Sequence, residues 1–81
     1  MKAIVHVSIK QGVLDPQGKA IGNALIGFGF DQVEEVRQGK YFELMLADGI
    51  SKADAQIKVA EMCDMLLANT VVEDYRVEIT E

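Results

Sequence analysis

A four-stranded antiparallel sheet carrying two helices on one face is the fold this sequence predicts, and three observations predict it. The chain has 81 residues, enough for a single α+β domain over 1–81. Its ends and middle alternate apolar and polar residues with a period of two, the mark of half-buried strands. Between them lie two stretches with apolar residues at helical spacing. The resulting order, β-α-β-β-α-β, closes most economically as the ferredoxin-like arrangement.

The first strand is "KAIVHVSIK" (Lys2 to Lys10), with Ala3, Val5, Val7 and Ile9 on one face and Ile4, His6 and Ser8 on the other. Next comes "KQGVLDPQGKA", which approaches the phosphate-cradling pattern G-x-x-x-x-G-K-[ST]. Gly12 and Gly18 are one residue too far apart, and Ala20 stands where a magnesium-ligating hydroxyl is required. Asp15 before Pro16 fits a different purpose, an acceptor at the helix N-cap followed by proline at the first helical position. The helix runs from Pro16 to about Phe28, with Ala20, Ile21, Ala24, Leu25 and Phe28 on one face. Gly22 and Gly27 weaken it by about 1 kcal/mol each, which calls for packing or a close backbone neighbour. Gly29 suits the left-handed position beyond its last turn.

"QVEEVRQGKYFELML" (Gln32 to Leu46) holds two β-prone runs separated by Gln38 and Gly39, and predicts a hairpin with Gly39 at positive φ. In the second run Phe42, Leu44 and Leu46 share a face, with Tyr41, Glu43 and Met45 opposite. Ser51, three residues before Asp54, starts the second helix, which runs to about Ala68, and Asn69 is assigned the left-handed position after it. Its apolar residues spread over roughly 220° of arc, more than one sheet covers. The last strand, Val71 to Thr80, turns Tyr75, Val77 and Ile79 one way.

This register leaves one sheet face uncovered and half apolar. Ile4, His6, Tyr41, Glu43, Met45 and Arg76 are its candidate contact residues, and a second copy or another protein is expected on it. A core this small also favours self-association, since a chain of this length buries only about 60 to 65% of its unfolded surface.

Thirteen acidic against eight basic residues give a net charge of −5, which disfavours nucleic acid. No apolar run has the length of a membrane span, and no secretory h-region opens the chain, so a cytoplasmic location is expected. Cys63 is the sole cysteine and lies at the centre of the second helix's apolar arc, where a small hydrophobe belongs. His6 is the sole histidine. The acidic neighbours Glu34–Glu35 and Glu73–Asp74 point to opposite faces of their strands and cannot share a metal or a proton. No catalytic, cofactor-binding or metal-binding residue is assigned, and the residues describe an interaction or regulatory module.

Three stretches in order, "GVLDPQGKA" (Gly12 to Ala20), "GFDQVEEVRQGKY" (Gly29 to Tyr41) and "EMCDMLLANTVVEDY" (Glu61 to Tyr75), resemble the PurS family. This is the small subunit of formylglycinamide ribonucleotide amidotransferase, also called phosphoribosylformylglycinamidine synthase. Gln11 and Thr70 replace prolines common in that pattern, and Gly27 to Gly29 departs from its plainer helix end. The resemblance implies a complex of purine biosynthesis in which a glutaminase subunit, PurQ, releases ammonia. A synthetase subunit, PurL, uses that ammonia with ATP and magnesium to make formylglycinamidine ribonucleotide. It also implies a small subunit without catalytic residues that, as a dimer, bridges the other two, while glutamine, ATP and magnesium are used by the complex and not bound by this chain. The alternative is a small-molecule regulatory domain of the ACT type, which shares the element order.

Overall fold

In the computed structural model, which describes residues 1–81, the elements are β1 (Lys2–Ile9), α1 (Pro16–Gly27), β2 (Gly39–Met45), α2 (Lys52–Met62) and β3 (Glu73–Thr80). The sheet has three antiparallel strands in the order β2-β1-β3, not the four expected. The missing strand is the first half of the anticipated hairpin. Val33 and Val36 are both half-buried while Glu34 and Glu35 are exposed. That spacing of three cannot place both valines on one face of a strand. Gly39 is already inside β2 opposite Ser8 and is not among the positive-φ residues, so no tight turn separates two strands there.

β1 is the central strand, and its register aligns the core. Val5 lies between Phe42 and Val77, and Ala3 between Leu44 and Ile79. Over this face α2 lays Ala55, Val59 and Cys63, four residues apart and fully buried. Burying side chains such as Val5 and Val59 stabilises the fold by about 1.5 to 3 kcal/mol each. Ser51 caps α2, its Oγ accepting from the Asp54 N–H at 3.1 Å. The helix closes on a π-turn over Cys63–Leu67, with the Ala68 N–H donating to the Cys63 carbonyl. Asn69 does not take the left-handed position expected of it, because no non-glycine residue has positive φ. Its side chain instead accepts from the Val71 N–H at 3.2 Å, turning the chain toward β3.

The second correction concerns α1. It contributes nothing to the buried core, and the sheet is packed by α2 alone among the principal helix contacts. Within α1 only Gly18 is buried, and Ala20, Ile21, Ala24 and Phe28 of its apolar face are exposed. The helix rests instead on the irregular segment before β2. At Gly18 any Cβ would collide with the Val36 carbonyl oxygen, and at Gly22 it would meet Val36 Cγ2 at 3.5 Å. These glycines let segment and helix approach. Gly29 has φ +99°, the left-handed value expected after the helix.

The consequence is an elongated molecule of 51 × 25 × 14 Å with a radius of gyration of 16.1 Å. A compact chain of this length has a radius of about 12 Å.

Candidate functional site

The open sheet face gathers all six sequence-predicted contact residues. Along the register His6 sits between Tyr41 and Arg76, Ile4 between Glu43 and Glu78, and Lys2 between Met45 and Thr80. Side chains alternate along a strand, so these rows point away from α2. The His6 and Tyr41 rings meet edge to face with centroids 5.4 Å apart. The Tyr41 hydroxyl donates to Glu43 Oε1 at 3.3 Å, and Lys2 Nζ reaches the same oxygen at 3.2 Å. Desolvation, followed by the Glu43 charge, pushes the Tyr41 phenol above its usual value and keeps it a donor. Met45 is 80% exposed beside this network. The face therefore offers an aromatic and a thioether set among internally paired charges, a composition suited to contact with protein.

A second feature joins α1 to the sheet. Asp15, buried at the helix cap, accepts from the Gly18 N–H at 2.9 Å and from the Gln38 N–H at 2.6 Å. The Gln38 N–H, then that of Gly18, then the Arg37 charge hold its carboxyl below the ordinary carboxylate range. Arg37 donates to the carbonyls of Ile9 and Lys10 at 2.7 and 2.9 Å and pairs with Glu35 at 3.4 Å. The end of β1, the start of α1 and the start of β2 are thus tied by two side chains. This also disposes of the near-match to a phosphate loop, since the Gly18 N–H that a phosphate would need is held by the chain's own carboxylate. Sequence reading found Asp15 as a cap but missed its second bond and the role of Arg37. The only sequence signal for either was a single cation in the Gln32 to Gln38 run.

A further exposed apolar patch lies at the end of α2, where Met65, Leu66 and Val71 are 86%, 83% and 80% exposed. Here the expectation that α2 carries more apolar surface than one sheet can cover is met, with Ile57 also outside. Cys63 is buried, and desolvation, then Asp64, raises its thiol, so it is a packing residue. Nowhere do three His, Cys, Asp or Glu side chains converge as metal ligands would. No helix is long and apolar enough to cross a membrane.

The fold defines a small α+β domain with large apolar side chains exposed on its sheet face and helices. The comparisons give that class a family. Residues 2–81 match the family model PurS, phosphoribosylformylglycinamidine (FGAM) synthase. The chain is 50% identical over 80 residues to the phosphoribosylformylglycinamidine synthase subunit PurS of Bacillus subtilis, covering 99% of this chain and 93% of that one. The solved structure of B. subtilis PurS superimposes with a TM-score of 0.85 at 49% identity, covering 99% of this chain and 98% of the other. A chain in the structure of PurLQS from Thermotoga maritima gives 0.84 at 32% identity, covering 95% and 93%. The chain belongs to the PurS family. With that assignment the ACT-type alternative falls away.

Proposed function

We propose that this chain is the small, non-catalytic subunit of an FGAM synthase, a ligase of purine biosynthesis, and that it bridges the glutaminase and synthetase subunits as a self-associated unit. The complex converts formylglycinamide ribonucleotide to the amidine using glutamine, ATP and magnesium, all of them handled by the other subunits. The observation that carries the reading is the match along the whole chain to PurS subunits, one of them a component of PurLQS. The surface supports it, because large apolar side chains stand exposed at three separate places while charges on the sheet face pair as Lys2–Glu43 and Arg76–Glu78. The open sheet face, through Ile4, His6, Tyr41, Glu43, Met45 and Arg76, is the contact with the partner subunits. The assembly works in the cytoplasm, where a lone buried thiol such as Cys63 stays reduced.

A double substitution, Tyr41→Asp with Met45→Asp, tests the contact. It puts two charges where a protein partner would have to desolvate them. The variant should keep its own helix content and melting curve yet fail to co-sediment with the glutaminase and synthetase subunits. Unimpaired co-sedimentation would remove the sheet face from the reading.

A further inference from the structure

α1 is built unlike a helix that faces water. Lys19 is its only charged side chain, no basic residue lies in its last turn, and Ile21, Ala24 and Phe28 form an exposed apolar stripe along it. The stripe runs on past the helix end, where Phe28 and Phe30 are 79% and 54% exposed. Both rings stand on a fixed backbone. With Gly29 at φ +99°, the Gly29 N–H donates to the Ile26 carbonyl and the Phe30 N–H to that of Leu25, both at 3.0 Å. These are the paired bonds of a left-handed helix cap. The Val33 N–H then donates to the Phe30 carbonyl at 3.3 Å and sets the exit of the chain. Exposed aromatic rings on a backbone already ordered lose little freedom when they are covered.

The charge around the rings has one sign. Asp31 and Glu34 are exposed and enter no ion pair, and the carbonyl end of α1 adds partial negative charge beside them. We propose that Phe28 and Phe30 anchor this chain to a catalytic subunit of the complex, seated in an apolar socket of that subunit rimmed with Lys or Arg. Cations at the rim answer Asp31 and Glu34 and lie against the ring faces. A second copy of this chain does not supply them. Six of its eight cations are already paired within the chain. Of the other two, Lys19 lies roughly 170° around α1 from the stripe, and Lys52 stands between Asp48 and Asp54. The docking rests on the bridging reading and gives the bridge a surface apart from the open sheet face.

Titrating the chain into a mixture of the purified glutaminase and synthetase subunits, with sedimentation equilibrium of the chain alone beside it, tests the docking. Phe28→Ala with Phe30→Ala should weaken binding to the mixture at least about tenfold. It should leave the oligomeric state and melting curve of the isolated chain unchanged. Asp31→Lys with Glu34→Lys, which alters neither ring and breaks no side-chain hydrogen bond of the chain, should also weaken binding at least about tenfold. The wild-type chain should bind less tightly as salt is raised, and the charge-reversed variant should lose that dependence. Undiminished binding by the ring variant overturns the docking and leaves the bridge to the sheet face. A ring variant that binds the mixture normally but changes its oligomeric state assigns the rings to a second copy. Undiminished binding by the charge-reversed variant overturns the basic socket. A wild-type chain that binds neither subunit overturns the bridging reading and the docking together.

Discussion

Eight side chains from β1, β3, α2 and the turn after α2 form the sheet's core, whereas around α1 and the segment after it only Gly18 and Asp15 are buried. The first region is held by apolar burial that no single contact dominates. The second depends on two glycine contacts, the Asp15 carboxylate and the Arg37 guanidinium. The difference teaches how a small domain can leave large apolar side chains outside its core. A region fixed by a few polar ties can hold its apolar side chains outward, since its position does not depend on burying them.

The largest expected effect lies in the core. Val59→Asp places an unpaired charge in a fully buried position and should cost about 3 to 5 kcal/mol, much of the stability of a domain this small. Urea titration followed by circular dichroism reads it, and a loss under about 1 kcal/mol would deny that this core holds the fold. Gly18→Ala comes next. Its Cβ would lie 2.6 Å from Asp15 Oδ2 and collide with the Val36 carbonyl, costing about 1 to 3 kcal/mol. The cost should appear in the exchange of α1 amides and not in those of β1. Equal loss in both would show that the two regions unfold as one.

Acid should loosen the same junction. Because hydrogen bonds from Gln38 and Gly18 lower the Asp15 pKa in the folded chain, its contribution is fully present above the unfolded-state value. It is lost as pH falls through the folded one. Glu73, lowered by the Asn69 N–H and then by Lys40, titrates with the same sign at the start of β3, at the same end of the sheet. Asp15→Asn should therefore flatten the acid dependence of α1 exchange and leave that of β3 intact. An α1 profile as steep as before would assign the dependence elsewhere. The smallest effect is expected at Ile57, 59% exposed on α2, where Ile57→Ala should move stability by no more than about 0.5 kcal/mol in the isolated chain.

The same contrast explains what could be read from the sequence. β1, β3 and α2 were legible because burial on one face writes its own period into the residues, as Ala3, Val5 and Val7 or Ala55, Val59 and Cys63 do. The caps Asp15 and Ser51 were legible because capping is local. The Val33–Gln38 run misled because Val36 answers to α1's glycines and not to a sheet, a long-range contact that no local period records. Gln-Gly is also a poorer hairpin signal than Asn-Gly or Asp-Gly. The open face was recovered residue by residue, since strand alternation alone determines it. Its occupant is not written in that alternation.

The bridging role is tested most directly by measuring FGAM formation by the purified glutaminase and synthetase subunits with either glutamine or a high concentration of ammonia as nitrogen donor, with and without this chain. A bridging subunit is needed only where ammonia must pass from one enzyme to the other. Omitting the chain should abolish glutamine-dependent turnover and leave ammonia-dependent turnover largely unchanged. Equal glutamine-dependent rates with and without the chain would contradict the bridge, and loss of both activities would place this chain in the synthetase chemistry itself.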